Sequence, residues 1–249
     1  MFKDHFSGHA NLYSSARPTY PDALFEYLVT QVKHRDLAWD CATGNGQAAL
    51  KLAPYFKSVI ATDGSQTQLA EAKPGPNIEY RVAMAEESGI DSGSVDLITV
   101  AQAVHWFDFD KFYAEARRVL KPDGIIAIWC YGLFHTDNTE VNALLHTFYE
   151  DIIGPFWPPE RNYIDEHYAT LPFPFKTISN IPSFSIVTHW NSQQIIDYLN
   201  TWSSVKAYEK QLNENPVESW FISRLSACIN DKDASLTVTF PLRLKMGYR

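Results

Sequence analysis

The chain has 249 residues, is 45% hydrophobic, and carries 21 Lys and Arg against 29 Asp and Glu, a net charge of −8. That is enough apolar material for a sizeable core in one large domain. The acidic balance, with no long basic run to offset it, argues against nucleic acid as a partner.

In chain order, Asp22 to Lys33 has apolar residues at helical spacing (Leu24, Phe25, Leu28, Val29, Val32) and a start marked by Pro21. Leu37 to Trp39 is a short apolar strand that ends at Asp40 and a glycine-containing loop. Gln47 to Tyr55 reads as a helix stopped near Pro54, and Ser58 to Thr62 as a β-branched strand ending at Asp63. Thr67 to Lys73 is helical, Ile78 to Val82 a strand, and Val95 to Val100 the next strand. Phe109 to Leu120 is a helix closed by a turn at Lys121-Pro122-Asp123-Gly124, and Ile125 to Trp129 is a fully apolar strand. Alternation of helices with near-continuous apolar strands is the pattern of a parallel sheet covered on both faces.

After Cys130 the rhythm changes. Asn138 to Ile153 is helical, broken by Gly154 to Pro159. A short helix is expected over Asn162 to Thr170, a strand over Ile181 to Thr188, and helices over Ser192 to Trp202 and Val217 to Ile229. Ser235 to Leu244 alternates and reads as an edge strand that tolerates Pro241. The fold expected is α/β, Rossmann-like, with a seven-stranded, mostly parallel sheet, helices on both faces and a helical C-terminal insertion.

Cys41, Cys130 and Cys228 are far apart and odd in number, a spacing of reduced thiols rather than of a disulfide framework or a zinc cluster. The first residues lack the apolar core of a signal peptide. No apolar stretch approaches the roughly 20 residues of a membrane span. A cytoplasmic location with no membrane partner and no metal is therefore expected; the sequence sets no oligomeric state.

The stretch DCATGNGQAAL carries Gly44-x-Gly46-x-x-Ala49 between a strand and a helix. Absent side chains let the backbone approach a ligand, and the helix start offers free N–H groups. Asp63 ends the next strand about 20 residues later, where a carboxylate accepts both hydroxyls of a ribose. A nucleoside is thus expected across the ends of the first two strands. Asp40, ahead of the glycines, can orient the loop or meet an amino group, and it disfavours a nearby pyrophosphate.

At this point the chain resembles the class I S-adenosylmethionine-dependent methyltransferases, in particular the small-molecule group that includes trans-aconitate methyltransferases. Asp40 to Gln47 is similar to the first motif of that family, with Ala42 in place of its first glycine. Asp63-Gly64-Ser65-Gln66-Thr67-Gln68 resembles the second motif, which implies ribose at Asp63 and adenine near Gln68. Ala83-Met84-Ala85-Glu86 resembles the adenine loop, with Met84 where Asp is frequent; Glu86 or a backbone carbonyl is then left to meet the adenine amino group. Val95 to Phe107 resembles the motif after the fourth strand, and Arg118 to Gly124 the signature before the fifth. Tyr13, Arg17 and Tyr20 resemble an N-terminal segment that closes over the cofactor, with Arg17 near its carboxylate. Asn200 to Ser203 fits the same group.

The resemblance implies one methyltransferase domain over residues 1–249, with an N-terminal helical cap to residue 35, a cofactor-binding core to 130, and a substrate-side insertion with the last strands to 249. The cofactor-binding residues it implies are Tyr13, Arg17, Asp40, Ala42, Gly44, Gly46, Asp63, Gly64, Gln68, Ala85, Glu86, Gln102 and Ala103. A carbonyl of Gln102 or Ala103 is the partner for the methionine amino group. His105 is the candidate catalytic residue, as a proton shuttle, with a hydrogen-bonded structural histidine as the other reading. Trp106, Tyr131, Trp157, Trp190 and Trp202 are candidate walls for a small-molecule methyl acceptor, and Arg117 and Arg118 candidates to face an acidic one or to sit on the helix surface. Methyl transfer is an in-line displacement that rests on alignment, and a carboxylate acceptor needs no base. Two alternatives stand beside this. An NAD-dependent oxidoreductase predicts a glycine loop nearer the chain start and a Tyr-x-x-x-Lys signature, neither of which is present. A non-catalytic cofactor-binding partner protein keeps the fold without the transfer.

Overall fold

The long apolar runs of the first half become strands because both their faces are covered. The structure, a computed structural model, describes residues 18–229 and 234–249. Strands β1 (Leu37–Cys41), β2 (Ser58–Asp63), β3 (Ile78–Val82), β4 (Val95–Ala101) and β5 (Leu120–Tyr131) lie parallel in the order β3-β2-β1-β4-β5. Successive residues point to opposite faces. Ala38, Ala61, Leu97, Ala127 and Trp129 enter one apolar cluster, with Leu24, Phe25 and Leu28 of the first helix (Asp22–Gln31) and Ala48, Ala49 and Leu52 of the second (Gln47–Leu52). Trp39, Ile60, Ile98, Val100, Ile126 and Ile128 enter the other, against Phe112, Ala116 and Val119 of the helix Phe109–Val119. Each large apolar side chain so buried contributes about 1.5–3 kcal/mol relative to exposure.

The strand order reverses between β1 and β4, where neighbours leave toward opposite edges. Open parallel sheets bind ligands at such a point, outside the carboxyl ends of the strands. Here those ends are the loops after Cys41, Asp63 and Ala101.

Several boundaries differ from the periodicity. The first helix ends at Gln31, and Val32 is extended but still buried, which is why it kept the helical spacing. Lys121 to Gly124 is not a turn ahead of a separate strand. It bulges within β5, with Val95 opposite Leu120 and Leu97 opposite Ile125. The helix Thr139–Thr147 continues as a π-helical turn over Phe148–Ile152.

The last strand is the largest correction. β9 (Leu236–Tyr248) is internal, not an edge. It runs antiparallel to β5 through residues 242–248 and to β8 (Phe184–Trp190) through 236–242. The two-residue strands β6 (His135–Thr136) and β7 (Lys176–Thr177) flank the remaining stretches. Pro241 pairs with Ser185 on one flank; on the other it falls between the stretches held by β6 and β5. A residue without an N–H is tolerated there because no ladder partner asks for one. The sheet has nine strands among the described residues. The described residues between β5 and β9 carry helices that pack mostly on the first apolar face, while Ile164 of the short helix Asn162–Asp165 packs on the second.

Candidate active site

The glycine loop is held by the two acids that bracket it. Asp63 Oδ2 accepts the Gly44 N–H at 2.9 Å and Oδ1 accepts the Ser65 N–H at 2.8 Å, so one carboxylate ties the first loop to the second. A carboxylate oxygen can accept more than one hydrogen bond, so these backbone bonds do not exclude a ligand hydroxyl. Ser65 caps the helix Gln66–Ala70 by accepting from the Gln68 N–H, which sets Gln68 at the cavity wall.

Asp40 is buried at the end of β1. Its carboxylate accepts from the Thr43 hydroxyl at 2.5 Å and the Thr99 hydroxyl at 2.7 Å, joining the loop to β4. Burial raises its pKa to about 6, against the opposing pull of both hydroxyls. Of the two roles open to Asp40, orienting the loop is therefore visible directly.

Two backbone positions carry more than the motif suggests. Ala42, at the place of the first family glycine, has φ +52°, in the left-handed region that an alanine adopts only at a cost. Gly46 has φ +83° and opens the second helix; a Cβ there would overlap the Tyr80 hydroxyl and sit 3.1 Å from two carbons of that ring. Gly46 does not line the cavity, so its glycine serves local packing.

The cavity over these loops measures about 630 Å³, within the range of small-molecule sites. Asp40, Ala42, Gly44, Asp63, Gly64, Gln68, Ala85, Glu86, Gln102 and Ala103 all line it. Among the described residues its wall holds six carboxylates (Asp40, Asp63, Glu86, Glu87, Asp108, Glu160) and one lysine, Lys111. Lys111 is itself paired with Asp108 at 2.8 Å. Such a wall suits a cationic nucleoside and opposes a pyrophosphate. The buried Gln47 Oε1 has no hydrogen-bond partner among the described residues and offers an acceptor to a ligand there. Glu86 Oε1 already accepts the Asp108 N–H at 3.0 Å, and Met84 stands at the rim, 40% exposed.

Gln102 has φ +56°. Its side-chain amide donates to the Tyr131 carbonyl at 3.0 Å and accepts the Tyr131 N–H at 3.1 Å, extending the β4–β5 ladder by one rung. That clamp fixes the corner where a second, smaller cavity begins. It measures about 60 Å³, room for roughly four waters, and shares Gln102, Trp106 and Tyr131 with the larger one.

His105 lines this small cavity. It is buried, and its Nδ1 lies 3.0 Å from the Tyr168 hydroxyl. Burial, aided by the Arg161 charge, lowers its pKa to about 3, so the ring is neutral at physiological pH and a weak base. Trp157 and Trp202 complete the aromatic walls with Tyr198. Trp190 does not reach the cavity; it packs in the core against Phe134, Tyr198 and Phe240.

Arg161 is the residue that sequence reasoning missed. It sits in the same aromatic corner, its guanidinium 4.5 Å from the centre of the Trp157 ring. In the sequence, Gly154 to Pro159 reads as a helix breaker and Trp157 as a candidate wall, while the charged pair Glu160-Arg161 that follows was passed over. Glu160 reaches the large cavity and Arg161 the small one. The other arginines considered are structural. Arg118 pairs with Glu115, and Arg117 bonds the Pro174 carbonyl and lies over Phe175. Tyr20 lines the large cavity and packs edge-on against Trp129, whereas Tyr13 and Arg17 lie outside the described residues.

Comparisons with known proteins identify the family. A family model described as a methyltransferase domain matches residues 39–128, the stretch from β1 to β5. A protein of Dictyostelium discoideum named as a methyltransferase is 39% identical, over 97% of this chain and 93% of its own length. The CRG1 protein of Saccharomyces cerevisiae, named as an S-adenosylmethionine-dependent methyltransferase, is 24% identical over 94% of this chain and 91% of its own. Among solved structures, a protein of Anaeromyxobacter dehalogenans described as a type II methyltransferase superposes with a TM-score of 0.86 at 38% identity, covering 93% of this chain and 97% of that one. The chain belongs to the class I S-adenosylmethionine-dependent methyltransferases, and S-adenosylmethionine is its cofactor.

Proposed function

We propose that the chain methylates a small-molecule acid on a carboxylate oxygen, as the trans-aconitate methyltransferases that it resembles do. The observation that carries this reading is the 60 Å³ cavity beside the cofactor cavity, with one arginine and a neutral histidine on its wall. A carboxylate is ionised at pH 7 and needs no proton removed, so a site without a base near neutrality suffices for it. An amine or phenol acceptor asks for a base, and burial has taken His105 out of that range.

Bound S-adenosylmethionine would supply a sulfonium-activated methyl group, to be attacked in line by the acceptor oxygen with the neutral thioether as leaving group. The protein's part is placement. In this reading Asp63 takes the ribose hydroxyls, Gln68 and the Ala85–Glu86 backbone flank the adenine, and a carbonyl of Gln102 or Ala103 takes the methionine amino group. Asp40, Ala42, Gly44 and Gly64 shape the loops, Gly46 fixes the helix start, and Tyr13 and Arg17 close over the cofactor. His105 holds the acceptor wall through Tyr168 rather than shuttling a proton. The free thiols of Cys41, Cys130 and Cys228 suit a reducing, cytoplasmic setting.

The test is transfer of labelled methyl from S-adenosylmethionine to a panel of small acids, amines and phenols, read by mass. The reading expects a base-labile ester on an acid. Label found only on nitrogen, or on phenolic oxygen, overturns it.

A further inference from the structure

Lys245 reaches from β9, opposite Ile128 of β5, to the turn that follows the helix Asn162–Asp165. Its ammonium donates to the Tyr168 carbonyl at 2.9 Å and to the Leu171 carbonyl at 3.3 Å, and lies 5.5 Å from the centre of the Phe173 ring. Burial alone lowers its pKa, and among the described residues no carboxylate pairs with it. A half-buried ammonium with no counter-ion is costly unless its hydrogen bonds hold something in place. The turn it holds is strained. The His167 N–H bonds the Ile164 carbonyl at 2.8 Å and the Tyr168 N–H bonds the Tyr163 carbonyl at 2.7 Å, the two bonds of a Schellman cap. Glycine is the usual residue at such a cap, but here His167 (φ +56°) and Tyr168 (φ +60°) are both left-handed. Two consecutive L-residues keep that conformation only where their surroundings over-determine it, and the charge-assisted bonds from Lys245 do so.

The turn seats Tyr168 in the core with its hydroxyl 3.0 Å from His105 Nδ1, the one hydrogen-bond partner of that hydroxyl among the described residues. Were the ring proton on Nδ1, the phenol hydrogen would be sealed in the core with no acceptor. With the phenol donating to Nδ1 both groups are satisfied, and the ring proton sits on Nε2. His105 Nε2 makes no hydrogen bond among the described residues. Unlike the orphan Tyr113 hydroxyl it is not sealed in the interior, so it reaches open space at the cavity that His105 lines.

We propose that Lys245 is a positioning residue: by holding the left-handed turn at His167 and Tyr168 it fixes the Tyr168 hydroxyl as a donor to His105 Nδ1, which locks His105 in the Nε2–H tautomer and turns a hydrogen-bond donor, not a base, toward the small cavity. The tautomer follows from the buried chain Lys245–Tyr168–His105 alone. Its bearing on methyl transfer rests on the reading of the small cavity as the acceptor site. Lys245 acts through two other residues and touches no reacting atom.

The readout is a long-range proton–nitrogen correlation spectrum of the full chain, carrying isotope-labelled histidine, near neutral pH. The His105 signals are identified by their loss in His105→Gln. The expected wild-type ring is neutral, with its proton on Nε2. Tyr168→Phe removes the donor, and the ratio of the Nε2–H form to the Nδ1–H form is expected to fall about fivefold or more. Lys245→Met removes the ammonium and is expected to move the ratio the same way, by about threefold or more. Lys245→Arg, which keeps the charge and the donors, is expected to retain the wild-type ratio. A lysine that served stability alone would leave the tautomer where it stands. Should Lys245→Met not fold, Lys245→Gln, one bond shorter and uncharged, takes its place. A proton on Nδ1 in the wild type overturns the proposal, as does a ratio unmoved by Tyr168→Phe or by the folded lysine variant. The labelled-methyl panel reads the acceptor independently. Label on nitrogen alone overturns the carboxylate reading and leaves the tautomer standing, whereas an Nδ1–H ring removes the Lys245 chain whatever the acceptor.

Discussion

At the residue scale, Asp40 is the group whose chemistry differs most from its sequence appearance. Its carboxylate is buried under two hydroxyls, and its pKa is raised to about 6 from an ordinary value near 3.8. The folded state therefore binds the Asp40 proton more tightly than the unfolded chain does. Its contribution to stability is fully present below about pH 4 and is lost as pH rises through about 6, a change of up to about 3 kcal/mol. Other acids superimpose opposite slopes, so the measurement is the difference between wild type and Asp40→Asn in urea unfolding from pH 4 to 7. The wild type is expected to lose ground to the variant across that window; parallel curves would contradict the burial of a charge there. Ala42 gives a second residue-scale expectation. An L-residue at φ +52° is strained, so Ala42→Gly stabilises the chain by about 1 kcal/mol, read from the urea midpoint at unchanged slope. The motif reveals which type of residue stands at 42, but the strain there is a property of the backbone angle, which no single-sequence pattern displays. Arg161 was hidden for a related reason. Its partners Tyr149, Trp157 and Asp165 assemble over a run of short helical turns between residues 148 and 165 that break any periodic signal.

At the scale of elements, β1, β2, β4 and β5 were legible because burial on both faces leaves a run of apolar residues with no alternation to confuse, while β3, half-buried at the sheet edge, carries no such run. All five fall where the sequence places strands, each within a residue or two apart from the bulged start of β5. β9 was harder. Its alternation is real, since Val238, Phe240 and Leu242 point into the core while Thr237 and Thr239 do not. Alternation reports the faces of a strand and not its edges, so the proline at 241 drew the reading toward an edge. The partners on both flanks of β9 come from distant parts of the chain. The first glycine loop shows the same division between local and distant causes. Gly46 reads as a cofactor glycine, yet the atoms that exclude a side chain belong to Tyr80 on β3. Gly46→Ala is expected to cost about 1–3 kcal/mol, from the positive φ and the overlap together. Adding Tyr80→Phe removes the overlapping oxygen but also the hydroxyl's bond to the Lys73 carbonyl at 2.8 Å. A double-mutant cycle is expected to show the pair less destabilised than the sum by about 1 kcal/mol. Strict additivity would place the cost in the backbone alone.

At the scale of the molecule, the sheet puts two cavities side by side at the point where strand order reverses. The loops after β1 and β2 build the larger one, and the helices between β5 and β9 wall the smaller. In the proposed reading the protein binds and aligns, with no proton to be moved: the glycine loop and Asp63 hold the cofactor on one side, and the small cavity takes the acceptor on the other. The pH profile of methyl transfer to the preferred small acid, taken at saturating cofactor from pH 6 to 9, tests that claim most directly. Saturation takes any effect of Asp40 on cofactor affinity out of the measurement, and carboxylate acceptors are ionised throughout the range. The account predicts a flat profile, retained when His105 is replaced by Gln. A rate that climbs tenfold per pH unit below neutrality, and that collapses in His105→Gln, would contradict it and return His105 to the role of base.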